Sequence, residues 1–113
     1  MKVEQLLYRH DAFIKDEKSE PFSGNGKQLV LAFGAKEMLE KNSIYEELKT
    51  LYPAASLVLC STSGEIYDDA VYDNSVSAVA IELEKTDIQT RQINISNFSN
   101  SFEAGSFLLR ELP

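Results

Sequence analysis

Two short apolar runs separated by a helix-like segment constrain the fold of this chain most strongly. The first run spans Gln28 to Phe33 and stops at Gly34, and the second spans Ser56 to Cys60. Continuous apolar runs of this length are typical of strands that are covered on both faces. With a helix between them, the two runs predict a βαβ unit whose strands are parallel and buried.

The segment between the runs has a recognisable helix start and stop. Ser43 with Glu46 three residues later is typical of a capping box, and Pro53 ends the helix. Replacing Ser43 with alanine is therefore expected to cost about 1 kcal/mol of stability. A shorter helical piece over 36–41 is predicted ahead of it. The apolar residues of the main helix recur at helical spacing, at Ile44, Leu48 and Leu51.

Two further strands are predicted downstream. Ser75 to Glu84 is the longest alternating run, and the more polar Ile88 to Ile95 suits an edge strand beside it, after an acidic loop over 67–74. The short link between these strands favours antiparallel pairing. We therefore predict an α/β fold: a mixed sheet of about four strands, formed by the βαβ unit and an antiparallel pair, with helices packed on it.

The last predicted helix starts near Asn100, with Glu103 three residues on, and runs into Pro113. Its apolar residues occupy consecutive positions, 107–109, so one covering surface does not bury them all. We expect the chain to be part of something larger. Alone, it is expected to form a homodimer or to expose an apolar patch of more than a few hundred Å².

Length and charge narrow the classes of protein. A chain of 113 residues builds one core, and a net charge of −7 argues against nucleic acid as a partner. No apolar run approaches the roughly 20 residues of a membrane span, and the first residues lack the pattern of a signal peptide. One cysteine excludes an internal disulfide. We expect a cytoplasmic protein that does not contact a membrane.

The stretch Cys60 to Ile66, with the sequence CSTSGEI, is the strongest candidate for a site. Open α/β sheets bind ligands at the carboxyl ends of their strands, where backbone N–H groups lack partners. In one interpretation the turn holds a polar ligand and Glu65 accepts a hydrogen bond from it. In the other, the turn is structural and its hydroxyls and Glu65 are satisfied internally. The predicted ligand-binding residues are Ser61, Thr62, Ser63, Gly64 and Glu65.

Other chemistries have less support around this stretch. No Lys or Arg lies between Thr50 and Glu84, which disfavours a phosphate ligand. Cys60 or Ser61 as a nucleophile lacks a base, because His10 is distant in sequence, and Cys60 is predicted to be a small buried hydrophobe. The carboxylates of the acidic loop, Asp68, Asp69 and Asp73, lack the calcium-loop spacing of an EF-hand. We predict no catalytic residues, no metal and no enzyme activity.

Several blocks in order resemble the N-terminal part of a FIST domain, a sensory module named after F-box and intracellular signal transduction proteins. The resemblance covers 28–113 and is sharpest at CSTSGEI. The matching blocks are Gln28 to Phe33, Tyr52-Pro53-Ala54, CSTSGEI, Ser75 to Ile81 and Glu103-Ala104-Gly105. Residues 1–27 are accordingly expected to be an N-terminal segment and linker. Residues 28–113 are expected to be an incomplete FIST-like domain.

The resemblance implies a cytoplasmic, bacterial-type sensory domain that binds a small ligand such as an amino acid. Its expected partners are signalling modules such as histidine kinases, diguanylate cyclases or methyl-accepting domains. Some relatives are haem-based nitric oxide sensors, so haem is an alternative cofactor, although none is expected from the residues. His10 and Cys60 are the only obvious candidates for an axial ligand. A structural or interaction module without a ligand is the third hypothesis.

Overall fold

The computed structural model describes residues 1–112, and for Asn42 it describes the backbone alone. The chain is α/β, as predicted, with five strands in one mixed sheet in the order β2-β1-β7-β3-β4. Strands β5 and β6 form a separate antiparallel hairpin. The elements are β1 (Lys2–Arg9), β2 (Ala12–Lys15), β3 (Lys27–Gly34), α1 (Lys36–Leu39), α2 (Asn42–Leu51), β4 (Ser56–Ser61), β5 (Glu65–Tyr67), β6 (Ala70–Tyr72), β7 (Val76–Leu83), a 3-10 turn (Ile95–Asn97) and α3 (Ser101–Glu111).

The predicted βαβ unit is confirmed. Strands β3 and β4 are parallel neighbours, with Leu31 opposite Val58, and α1 and α2 connect them. The inward side chains of α2, Ile44 and Leu48, are fully buried against the sheet. The core therefore lies between α2 and one face of the five-stranded sheet.

The prediction of a strand over 88–95 is wrong. That segment contains no strand and ends in the 3-10 turn. Strand β7 already has a neighbour on each side, because β1 and β3 both pair with it in antiparallel register. β1 thus lies beside β7, where the strand over 88–95 was expected. Residues 2–15, which were expected to belong to an N-terminal segment and linker, form a hairpin within the sheet.

The two faces of the sheet are unequally covered. On β7, Ala78 and Ala80 are buried towards the helices, whereas Val79 and Ile81 on the opposite face are half-buried. Phe33 on β3 is 42% exposed, so the prediction of complete cover on both faces is wrong. We call this second face the open face. Its side chains alternate with the core residues and include Leu29, Leu31, Phe33, Val58, Cys60, Ser77, Val79 and Ile81.

The two predicted helix starts have different outcomes. Helix α2 begins at Asn42, so Ser43 lies inside its first turn, and the residue before the helix makes no side-chain capping bond. The predicted capping box is therefore wrong. In α3 the Asn100 side chain accepts a hydrogen bond from the Glu103 N–H at 2.9 Å, which confirms the predicted start. The predicted end of the helix at Pro113 lies outside the described residues.

Helix α3 presents large apolar side chains to solvent. Phe102 is 81% exposed and Leu109 is 72% exposed. On its other side, the ring of Phe107 lies 5.3 Å from the ring of Phe98. One side of the helix is thus in contact with the preceding segment and the other is uncovered. Among residues 1–112, no helix has the length and apolar character needed to cross a membrane.

Candidate functional site

The CSTSGEI turn is held from inside by Glu65. Its side chain is 2% exposed, and its carboxylate accepts hydrogen bonds from the hydroxyl of Ser75 at 2.9 Å and from that of Thr62 at 3.3 Å. The Thr62 N–H donates to the Gly34 carbonyl at 2.9 Å, which joins the turn to the end of β3. The turn is therefore fixed to two neighbouring strands.

The two remaining serines of the turn are exposed. Ser61 ends β4 and Ser63 lies in the loop before β5, and both residues are exposed. Within residues 1–112, the N–H groups of Ser63 and Gly64 donate to no other part of the chain. The predicted site residues thus form one continuous turn, in which Thr62 and Glu65 are engaged internally, Ser61 and Ser63 are exposed, and Gly64 is half-buried.

The predicted acidic loop over 67–74 is mostly a hairpin. Strands β5 and β6 pair through Ile66 and Val71, and Asp68 adopts a positive φ of 55° in the turn between them. The Ser77 hydroxyl on β7 donates to the Ile66 carbonyl at 2.8 Å. The guanidinium of Arg9 also lies 4.7 Å from the centre of the Tyr72 ring. These contacts hold the hairpin against the open face.

A groove of about 460 Å³ lies between parts of β5 and the open face. It is lined by Gln5, Phe33, Ile66, Tyr67, Asp68, Ser77, Ala78 and Val79. Phe33 is the cross-strand partner of Cys60, so this end of the groove lies beside the exit of β4. Burial, together with the carboxylates of Asp16 and Asp68, raises the pKa of the Tyr67 hydroxyl. Tyr67 therefore stays protonated and offers a hydrogen-bond donor at neutral pH.

Cys60 is exposed, so the prediction of a buried cysteine is wrong. The reason is that it lies on the open face of the outermost strand. His10 has a positive φ of 53° in the exposed turn between β1 and β2. Strands β1 and β4 are three strand spacings apart, about 14 Å, so His10 is not a base for Cys60 or Ser61.

The same positions do not supply a pair of axial ligands for a haem. At about 14 Å, His10 and Cys60 are too far apart to ligate one iron from opposite sides. The groove beside the turn that carries His10 is lined in part by carboxylates, of Asp11, Glu46 and Glu47. Haem propionates would face these like charges. Within the described residues, no group of three or more His, Cys, Asp or Glu side chains is placed to hold a metal ion.

Two further buried carboxylates lie at the opposite end of the sheet and were not predicted. Glu82 accepts hydrogen bonds from the Ser23 hydroxyl at 2.7 Å, from the N–H groups of Ser23 and Gly24 at 2.8 and 2.9 Å, and from the Gln28 amide at 3.3 Å. These bonds lower the pKa of Glu82 to about 2 despite its burial, and the bond from the Ser23 hydroxyl has the largest effect. The signal in the sequence is a lone Glu on the face of β7 that carries Ala78 and Ala80.

The second buried carboxylate is that of Glu4 on β1. It accepts a hydrogen bond from the Tyr52 hydroxyl and forms an ion pair with Lys15 at 3.1 Å. Burial, followed by the hydrogen bond and the charge of Glu4, raises the pKa of Tyr52. This cluster joins β1, β2 and the end of α2, so it has a structural role far from the CSTSGEI turn.

A comparison with protein families identifies the chain. The model of the FIST N domain matches residues 28–113, which include the βαβ unit, the CSTSGEI turn and α3. The chain belongs to the FIST N domain family. Searches of curated proteins and of solved structures gave no significant match.

Membership of the FIST N family indicates a sensory signal-transduction domain. The family is known as one of sensory and signalling domains. The match begins at Gln28, within β3, whereas the sheet of this FIST N domain also includes β1 and β2. The N-terminal hairpin is thus an integral part of the sheet that positions the turn.

Proposed function

We propose that this chain is a sensory domain that binds a small polar, amino-acid-like ligand at the CSTSGEI turn. Binding of the ligand at this turn would be signalled to a partner protein such as a histidine kinase or a diguanylate cyclase. The observation that carries the proposal is the two-sided construction of the turn. Glu65 holds it from inside, while Ser61 and Ser63 are exposed. Two exposed serines on a fixed backbone are available to a ligand.

The chemistry of the surroundings favours a ligand with both an ammonium and a carboxyl group. Hydroxyls and free N–H groups at Ser63 and Gly64 suit a carboxylate. The carboxylate of Asp73 lies 4.0 Å from the position that a Cβ on Gly64 would take, and this carboxylate suits an ammonium. Because no Lys or Arg lies between Thr50 and Glu84, a phosphate would meet a negative field without a cationic partner.

Among the five proposed ligand-binding residues, Glu65 and Thr62 have a positioning role. Ser61, Ser63 and Gly64 would make the direct contacts. The relay would run through the hairpin of β5 and β6, because β5 starts at Glu65 and the hairpin is held to the sheet by Ser77 and Arg9. Its outer side chains, Ile66 and Val71, are both 70% exposed and would contact the partner.

A second candidate function is an interaction module that binds no small ligand. It is favoured by the same carboxylate, because both oxygens of Glu65 accept bonds from within the chain. In that case the exposed hairpin and helix α3 would be the functional surfaces, and the turn would only support them.

Isothermal titration against a panel of amino acids and their derivatives tests the proposal. The double substitution Ser61→Ala and Ser63→Ala removes two hydrogen bonds, and we expect the affinity for a bound ligand to fall roughly 5- to 100-fold. Ser101→Ala, an exposed serine in α3, is the matched control and should bind normally. Binding that persists unchanged in the double variant would refute the site. Absence of binding across the panel would favour the interaction module.

A further inference from the structure

The outer edge of β4 is available for another strand. Among residues 1–112, β4 is the last strand of the five-stranded sheet and pairs with β3 alone. The N–H of Thr62 points towards β3, and backbone direction alternates along a strand, so Leu57, Leu59 and Ser61 turn their N–H and C=O groups outwards. Within the part of the chain that the structure describes, these outward groups meet one partner, the Cys60 thiol 3.6 Å from the Ser61 carbonyl.

The two edges of the sheet differ in their protection. The β2 edge has four residues, of which Lys15 is charged. Short strands and lysines are common means of blocking association at an edge. β4 has six residues with the sequence SLVLCS, which contains no charge and no proline. On its open face Val58 is 44% exposed, so an added strand would also cover apolar surface.

We propose that β4 is a homodimerisation strand, which pairs antiparallel with β4 of a second copy to form one continuous ten-stranded sheet. This inference goes beyond the proposed function and does not depend on a ligand. A second copy suits this edge because β4 lacks charge in a chain whose net charge is −7. Pairing β4 with itself therefore brings no like charges opposite each other on the paired strands.

The register of the pair follows from the backbone geometry. Residues that face each other in an antiparallel pair must both turn their backbone groups inwards or both outwards. The twofold axis therefore lies midway between one residue and the same residue of the second copy. Only an axis beside Leu59 places all three outward residues in hydrogen-bonded pairs. Leu59 then faces its own copy and Leu57 faces Ser61. Val58 faces Cys60 on the open face, where directly opposed Cβ atoms lie about 4.5–5.5 Å apart.

The size of the interface sets the expected affinity. Two six-residue edges bury less than the roughly 1,200 Å² at which stable interfaces begin, so the dimer should be weak. We expect a monomer–dimer equilibrium that sedimentation velocity resolves between about 1 µM and about 1 mM. A protein that remains monomeric up to about 1 mM would overturn the proposal.

A matched pair of lysine substitutions locates the interface. Val58→Lys places two like charges beside the twofold axis and should raise the dissociation constant roughly tenfold or more. Val71→Lys changes an equally apolar, exposed residue on the β5–β6 hairpin and should leave the equilibrium unchanged. Far-UV circular dichroism verifies that both variants are folded. An equal effect of the two substitutions, or none from Val58→Lys, would contradict the assignment.

Disulfide trapping tests the register itself. In Val58→Cys the new thiol faces Cys60 of the second copy, and the azo oxidant diamide takes two electrons and two protons as each S–S bond forms. Peptide mapping should find position 58 of one copy joined to Cys60 of the other. Positions 58 and 58, or 60 and 60, are diagonal and about 7–8 Å apart, too far for efficient bonding. Val71→Cys is the control for random collision. A predominance of like-with-like disulfides, or a yield equal to that control, would overturn the register.

Discussion

Replacing Glu65 with alanine tests the idea that this carboxylate holds the turn. The substitution leaves the Ser75 hydroxyl, which is fully buried, without its acceptor, and it removes a second bond from Thr62. Leaving a buried donor unpaired costs about 1–3 kcal/mol, and bonds to a charged group contribute about 1.5–3 kcal/mol each. We therefore expect Glu65→Ala to lower the free energy of unfolding by about 2–4 kcal/mol.

Urea denaturation followed by circular dichroism measures this loss, which corresponds to a fall in Tm of roughly 10 °C. Glu65→Gln keeps one acceptor and should cost about 1 kcal/mol. Ser63→Ala, in the same turn but exposed, should lie within about 0.5 kcal/mol of the parent. The double-mutant cycle of Glu65→Ala with Ser75→Ala should give a coupling of about 0.5–3 kcal/mol. Equal stabilities of Glu65→Ala and Ser63→Ala would refute the reasoning.

Three further predictions concern stability. The pKa of Glu82 is about 2 in the folded chain against an ordinary 4.5. The contribution of Glu82 to the free energy of unfolding is therefore complete above pH 4.5 and is lost as the pH falls towards 2. Glu82→Gln should flatten this part of the pH profile, as measured by urea unfolding. Gly34→Ala would place a Cβ 2.8 Å from a methyl of Val76, and thermal unfolding should show a loss of about 1–3 kcal/mol. Asn100→Ala should cost about 1 kcal/mol by removing the cap of α3, whereas Ser43→Ala should cost little, as thermal melts of both variants would show.

The parts of the fold that the sequence predicted depend on local patterns. The apolar run that ends at Gly34 and the one that ends at Cys60 identify two parallel strands, because few other elements have that composition and length. The cap of α3 was also predictable, since Asn100 and Glu103 are three residues apart and their bond is local.

The parts that were mispredicted depend on contacts distant in sequence. Strand β1 has apolar residues that do not alternate regularly, and its place is decided by pairing with β7, more than 60 residues later. The extended segment over 88–95 resembles an edge strand in composition, yet both sides of β7 are already occupied. The local sequence pattern does not show which of two segments, β1 or 88–95, pairs with β7.

The candidate site was predictable in position but not in its internal arrangement. The CSTSGEI turn follows a strand, and its residues do lie together at the end of β4. The sequence could not show whether Glu65 faces a ligand or the core, because that depends on Ser75 ten residues later. The exposure of Cys60 was missed for a similar reason, since only the strand order makes β4 an edge.

The most direct test of the central claim is an NMR titration of the ¹⁵N-labelled chain with a panel of amino acids and their derivatives. We predict saturable shifts of the amide signals of Ser61, Ser63 and Gly64 with at least one ligand. Those shifts should be lost when Ser61 and Ser63 are both replaced by alanine, while the amide signal of Ser75 continues to report a folded turn. Saturable shifts confined to other surfaces, or shifts that the double substitution leaves unchanged, would contradict the claim that this turn is the sensory site.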